Sequence, residues 1–293
     1  MCKAGDEPVV GCVILNYNDA DNVKELISSI RDYETLNCIM VVDNCSTDGS
    51  MELIEQLRDD KVLCVQSSGN LGYDGGNNFG MRLLSEEHGC TRILIANPDV
   101  RFSEDCLRSL LVEICEDKLC AVVSCEQLLM GEKPVEFSAW NPPRKRSLVL
   151  SPCLKKSPYV RIGDSGKRST VKVDCVAGAM LLADAEVLGN AGYYDEDVFL
   201  FSEEMILAKK INRIGYHTLY LPSCSYQHIH STSVAKTYKK KADRLRTLYR
   251  GRRILLKRYY DANPVEIGMF ELLCKIRLLR ERFNYLGKRT ADS

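Results

Sequence analysis

From Val9 to Ser124 the chain alternates between short β-rich apolar runs and segments with helical spacing, and this alternation limits the fold more than any other feature. Val9–Leu15 reads as a strand, and Ala20–Arg31 carries apolar residues at helical spacing through Val23, Leu26, Ile27 and Ile30. Cys38–Val42, Val62–Val65, Ile93–Ala96 and Ala121–Ser124 read as further strands. The helices expected between them run over Met51–Arg58, Gly76–Glu87 and Glu104–Glu116. Such alternation builds a mostly parallel sheet with helices on both faces.

The pattern then breaks. Gly131–Thr170 is rich in Pro, Ser, Lys and Arg, with basic groups at Arg144–Arg146 and Lys155–Lys156, and is expected to be a long loop or small excursion over the active face. Strands resume at Val171–Val176 and Met180–Leu182, followed by a helix at Glu203–Ile214 and a strand at His217–Leu221. From Val234 the chain reads as helical and basic. The expected division is therefore residues 1–233 as the main domain and 234–293 as a basic helical extension. There is no internal repeat.

Composition narrows the function. Lys plus Arg equals Asp plus Glu, at 40 each, which argues against a general nucleic-acid binder. None of the fourteen cysteines stands in a Cys-x-x-Cys pair, so a structural zinc site is not expected, and they read as small buried hydrophobes in a reducing cytoplasm. Met1–Pro8 is acidic with no apolar signal core, and no run is long enough to span a bilayer, so a cytoplasmic protein is expected.

Ligands of open parallel sheets bind where strands end. Four polar clusters stand there: Asn16–Asp19, Asp43–Ser50, Asn70–Asn78 and Asn97–Asp99. Taken singly, each has an ordinary explanation as a helix cap, a glycine turn or a β-turn. All four at one end of one sheet point to a site.

These segments resemble the inverting family 2 glycosyltransferases of the GT-A fold, particularly the rhamnosyltransferase-like branch. The resemblance rests on Val13–Asn18, on Val41-Val42-Asp43-Asn44 with Ser46–Ser50, and on Asn70-Leu71-Gly72-Tyr73 with Gly76-Asn77-Asn78 and Gly80. Asn97–Val100, Gly178-Ala179 and Gly192–Glu196 continue it, so that it covers about Val9 to Ser233. It implies a GT-A-type nucleotide-binding fold whose donor site includes Asn16, Tyr17, Asn18, Asp43, Asn70, Gly72, Asn77 and Asn97. Asp43 is expected to accept the imide N–H of uracil or thymine, and Tyr17 to pack on the base. Asn77 is expected at a helix start, where backbone amides meet phosphate. The family's Asp-x-Asp position reads Asn97-Pro98-Asp99, so Asp99 is expected to hold Mg²⁺ or Mn²⁺ against the diphosphate.

The resemblance places the catalytic base after Val198–Ser202, where the family commonly has Glu-Asp and this chain has Glu203-Glu204. Glu204 takes the position of the base, with a carboxylate about one methylene farther out. The ordinary alternative is that both glutamates simply favour a helix N-terminus. Ile206 stands where another Asp is frequent. His228 or His230 follows the expected strand, and His228 fits better as a metal ligand. Gly163–Gly166 and Gly166–Ser169 look superficially like protease and phosphate-loop motifs, but their contexts do not match. The basic tail is either packed on the domain with a solvated face or meets anionic lipid as a peripheral membrane contact.

The expected function is transfer of a sugar from a UDP- or dTDP-sugar to a hydroxyl of a glycan or lipid-linked acceptor. Two alternatives stay open: a sugar-nucleotide-binding or scaffold protein without catalysis, and a nucleotidyltransferase, for which Asn16–Asp19 lacks the expected Gly-rich basic loop.

Overall fold

The computed structural model describes residues 7–129, 133–154, 159–161, 170–229 and 241–291. Lys155–Lys156, the Gly163–Ser169 motifs, His230 and Lys236 lie outside the described residues.

The first half follows the alternation of the sequence. Strand β1 (Val10–Asn16) leads to helix α1 (Ala20–Ile30), β2 (Cys38–Asp43) to α2 (Ser50–Glu55), and β3 (Val62–Gln66) to α3 (Gly72–Glu86). Next come β4 (Arg92–Ala96), the short β5 (Val100–Arg101), α4 (Glu104–Glu116) and β6 (Cys120–Leu129). The excursion holds β7 (Lys133–Pro134), β8 (Ala139–Asn141), α5 (Lys145–Val149) and β9 (Val160–Arg161). The chain returns through β10 (Val171–Val173), β11 (Cys175–Val176), β12 (Met180–Asp184), α6 (Ala185–Ala191), α7 (Glu203–Arg213) and β13 (His217–His228). It continues into α8 (Lys241–Ile254) and α9 (Pro264–Ala291).

The main sheet runs β10-β13-β6-β12-β4-β1-β2-β3. Its strands are parallel except β12, which runs antiparallel between β4 and β6, and β10 at the edge. Alternate side chains go to opposite faces, as a period of two requires. Cys12, Ile14, Ile39 and Val41 meet α1, α2 and α4 on one face. Val13, Met40, Val42, Ile93 and Ile95 meet α3, α6 and α7 on the other.

Two elements run longer than their sequence signal. The strand expected at His217–Leu221 continues to His228 across a bulge between Leu221 and Ser225. Pro222 inside the run reads as a stop, but a bulge tolerates it. α3 begins at Gly72, four residues ahead of the expected Gly76. The glycines that read as turn residues serve close packing: a Cβ on Gly76 would stand 2.4 Å from Leu15, and one on Gly80 2.8 Å from Val42.

The C-terminal helices share a core with the rest. Tyr249, Leu255, Leu256, Phe270 and Cys274 are buried with Trp140, Leu148, Val198, Met205 and Ile206. A π-helical turn at Leu255–Tyr259 brings Arg258 and Tyr259 together onto Asp195, at 3.1 and 2.8 Å.

Gly72 combines a left-handed φ of +73° with a would-be Cβ 2.4 Å from the Phe199 carbonyl oxygen. A backbone atom cannot yield as a side chain can. Gly72→Ala is expected to destabilise the protein by about 1–3 kcal/mol, read as a lower urea midpoint at constant slope. A midpoint equal to wild type would show that α3 is free to shift.

Candidate functional site

The parallel register sets Asn16 at the end of β1 beside Asp43 at the end of β2. Both are fully buried. Asn16 Nδ2 donates to Asp43 Oδ1 at 2.8 Å, and Ser46 Oγ donates to the same oxygen at 2.6 Å. The Ser46 N–H and Gln66 Nε2 each donate to Oδ2 at 3.0 Å. Burial pushes the Asp43 carboxyl up, but the bonds from Ser46, Gln66 and Asn16 outweigh it and hold the group below its usual range.

Asn18 adopts a left-handed φ of 55°, accepts the Thr47 N–H at 2.8 Å and donates its own N–H to Ser46 Oγ at 2.9 Å. It thereby ties the β1 loop to the β2 loop, with Tyr17 half-buried beside it. Asn44 makes the corresponding tie to the β3 loop. Its amide donates to Asn70 Oδ1 at 3.2 Å and to the Gly72 carbonyl at 3.0 Å, while its Oδ1 accepts from Ser67 Oγ at 3.1 Å and the Leu71 N–H at 2.9 Å.

One expectation needs correction here. Asn77 is not at a helix start: α3 begins at Gly72, and Asn77 lies in its second turn, donating to the Tyr73 carbonyl at 2.9 Å. The helix starts early because Asn70 Oδ1 accepts the Gly72 N–H at 3.0 Å and the Phe199 carbonyl accepts that of Tyr73 at 2.9 Å. Asn78, not singled out from the sequence, ties α3 to the Gly192–Glu196 segment through the Tyr194 backbone and Glu196.

On the other side of β1, Asp99 is buried and its Oδ1 lies 3.1 Å from His228 Nε2. Asn97 is half-buried and its N–H donates to the Ala179 carbonyl at 2.8 Å. Gln127 Nε2 lies 2.9 Å from His228 Nδ1, and Tyr226 Oη donates to Gln127 Oε1 at 2.9 Å. Gln127 escaped the sequence reading because it lies on the part of β6 beyond Ser124.

Gly178 and Ala179 join the two halves. Tyr73 Oη donates to the Gly178 carbonyl at 2.6 Å, and a Cβ on Gly178 would stand 3.5 Å from Glu204 Oε1. Glu204 is half-buried in the first turn of α7. Burial pushes its carboxyl up, and the Gly178 N–H partly counters that. Behind it, Glu203 and Asp74 are buried, and burial together with the Glu204 charge pushes both well up. Ile206 is fully buried in the core shared with the C-terminal helices. The arrangement thus brings a hydrogen-bonded carboxylate at the first strand ends, a carboxylate–imidazole pair, and a carboxylate of raised pKa to one end of the sheet.

Comparison with known proteins agrees with this architecture. The sequence pattern described as Glycosyl transferase family 2 matches residues 12–159, half of the chain. The chain is 29% identical over 203 residues to a low-salt glycan biosynthesis hexosyltransferase of Haloferax volcanii, covering 69% of this chain but only 61% of that protein. It is 24% identical over 240 residues to N-acetylglucosaminyl-diphospho-decaprenol L-rhamnosyltransferase of Mycobacterium tuberculosis, covering 76% and 78% of the two chains. Among solved structures it resembles GalNAc-T7 with UDP, GalNAc and Mn²⁺ (TM-score 0.63, 13% identity, 77% of this chain and 44% of that one). It also resembles a mannosyltransferase of Pyrobaculum calidifontis in complex with GDP-Man and Mn²⁺ (TM-score 0.58, 17% identity, 99% and 77%). These likenesses, at low identity, establish the GT-A-type fold.

The lowered Asp43 pKa has a stability consequence. A carboxyl depressed by folding contributes stability that is present above its unfolded value, about 3.9, and is lost as pH falls through the lower folded value. Asp43→Asn is therefore expected to flatten the acid limb of the stability–pH curve below about pH 4. Parallel wild-type and variant curves in urea titrations across that range would remove the hydrogen-bonded carboxylate from the account.

Proposed function

The chain belongs to glycosyl transferase family 2, and we propose that it moves a sugar from a UDP- or dTDP-sugar to an acceptor hydroxyl during glycan assembly, inverting the anomeric centre. The observation that carries this reading is the convergence of Asp43, the Asp99–His228 pair and Glu204 on the same end of one sheet, joined through Gly178-Ala179.

Asp43 accepts the imide N–H of the base. Its oxygens already meet several donors, so one must leave, and Gln66 is the exposed partner able to swing away from Oδ2. Tyr17 packs on the base, while Asn16, Asn18 and Asn70 hold the cradle in shape. Asn97 and Gly72 stand at the strand-end loops of the donor side, while Asn77 braces the first turn of α3 through the Tyr73 carbonyl.

Asp99 and His228 fit a divalent cation. They offer a hard carboxylate oxygen and an imidazole nitrogen already within 3.1 Å of each other, the donor set that suits Mg²⁺ or Mn²⁺ completed by phosphates and water. Bound there, the ion stabilises charge on the leaving diphosphate. For His228 Nε2 to become a ligand its Nδ1 must carry the proton, and Gln127 Oε1 accepts a hydrogen bond from that N–H once its amide is turned over.

Glu204 takes the proton of the acceptor hydroxyl as that oxygen bonds to the anomeric carbon and the bond to the diphosphate breaks. A raised pKa improves it as a base, since general bases work best when their pKa nears the operating pH. Ile206 packs in the core and takes no part.

Glu204→Gln should leave donor binding intact and lower transfer by about 10²–10⁴-fold. The wild-type rate should fall as pH drops through the raised Glu204 pKa, a fall absent from the residual activity of the Gln variant. Asp99→Ala in the same assay should weaken donor binding in the presence of Mn²⁺. UDP-, dTDP- and GDP-sugars are tested side by side, and turnover with GDP-sugar alone would reject the pyrimidine reading. A Gln variant with wild-type turnover would move the base elsewhere, first to Glu203.

The acceptor is read as a glycan or lipid-linked molecule met at an anionic membrane. No helix among the described residues is long and apolar enough to cross a membrane. What supports a surface contact is α9, which leaves Val265, Met269, Leu272, Ile276 and Leu279 exposed along one stripe while Phe270 and Cys274 face the core. Lys275, Arg280 and Arg282 flank that stripe. An apolar stripe with basic flanks suits a helix lying at an anionic interface. The protein should float with vesicles containing phosphatidylserine and not with purely zwitterionic ones, and Leu272→Glu with Ile276→Glu should abolish flotation. A concentration-dependent dimer lost in the same variant, without vesicle binding, would assign the stripe to self-association.

A further inference from the structure

Cys106 on α4, Cys125 on β6 and Cys224 on β13 are separated by 19 and 99 residues in the sequence, and no spacing motif links them. The fold brings their sulfurs together. All three Sγ atoms lie within 4.8 Å of one another, and Cys106 and Cys125 are 3.5 Å apart. Among the described residues this is the one group of three or more metal-capable side chains at ligand spacing. The Sγ–Sγ separation is far beyond the roughly 2.0 Å of a disulfide, so these are free thiols.

Two features mark the cluster as more than buried packing. Cys224 stands in the bulge of β13, where the register slips between Leu221 and Ser225 opposite Cys125 and Glu126. Bulges re-aim side chains, and this one sets Cys224 against the two buried thiols while leaving it partly open to solvent, which provides an entry path. The spacing also fits: metal–sulfur bonds of about 2.3 Å put sulfurs about 3.8–4.0 Å apart in tetrahedral or trigonal geometry. Cys38 and Cys90 also approach to 3.5 Å, but they offer only two sulfurs and pack against Gly11.

We propose that Cys106, Cys125 and Cys224 form a trithiolate site for a soft d10 metal ion, Zn²⁺ or Cu⁺. Binding releases the thiol protons to solvent and forms three metal–sulfur bonds, with no change of oxidation state. Hard ions such as Mg²⁺ and Mn²⁺ are excluded by the all-sulfur donor set. The site lies on the strands that carry Gln127 and His228, two residues beyond Cys125 and four beyond Cys224. An ion there clamps α4, β6 and β13 behind the donor site.

The test uses the full chain, reduced and stripped with a chelator, then titrated with Cd²⁺ as a spectroscopic probe. One equivalent should bind with a thiolate-to-cadmium charge-transfer band and compete with a chelating indicator. Cd²⁺ at Asp99 and His228 would give no such band. Cys224→Ser should lose the band and weaken binding at least about tenfold, whereas Cys153→Ser, at an exposed position, should not. Should Cys224→Ser fail to fold by circular dichroism, alkylation of the wild type read by mass spectrometry decides: Cd²⁺ must protect the partly open Cys224 but not the exposed Cys153. Zn²⁺ and Cu⁺ are then compared as competitors of Cd²⁺ to assign the ion. A band that survives Cys224→Ser, a titration with no stoichiometric band, or unchanged alkylation of Cys224 would overturn the site.

Discussion

The turn ahead of Glu204 is held by backbone contacts from two directions. On one side the Phe199 carbonyl lies against Gly72 and accepts the Tyr73 N–H. On the other the Phe201 carbonyl lies against Gly251 of α8, where a Cβ would stand 2.4 Å away. Between them Phe201 and Ser202 take φ values of 72° and 78°, a left-handed geometry that costs side-chain-bearing residues on the order of 1–3 kcal/mol each. Such a turn persists only because packing over-determines it. What it accomplishes is to start α7 abruptly, so that Glu204 leaves the first turn toward Gly178.

The donor side follows a different logic. Parallel strands end together, and their loops must be fastened to one another without filling the space a nucleotide needs. Asn70 adds an acceptor, and Asn16, Asn18 and Asn44 do the fastening because an amide both donates and accepts. A carboxylate in any of these places would accept only, and buried neighbours such as the Gly72 carbonyl would lose their partner. Asp43, in contrast, is placed where every neighbour donates to it.

Much of this was legible in the sequence because it depends on local periodicity. The first strands and helices follow from alternating apolar residues, and the polar strand ends identify the edge where Asp43 and Asp99 lie. Other parts depend on distant contacts. Pro222 hid the second half of β13, so His228 was expected beyond the strand when it is its last residue, paired with β5. The glycines of α3 look alike whether they serve a turn or a close approach, and only the sheet beneath Gly76 and Gly80 decides. Asn44 stands beside Asp43 in the motif but shows its bridging role only once the β3 loop is in place. Gln127 and the trio of cysteines carry no local signal, because His228 and Cys224 lie about a hundred residues beyond their partners on β6.

The contact between Gly251 and Phe201 also orders events during synthesis. By residue 129 the emerging chain holds every strand from β1 to β6 and the loops that fasten the nucleotide cradle. The bracing glycine appears some fifty residues after the turn it supports, several seconds later at ordinary elongation rates of about 5–20 residues per second. A growing polypeptide therefore holds the polar loops around Asp43 well before the turn that presents Glu204 is braced.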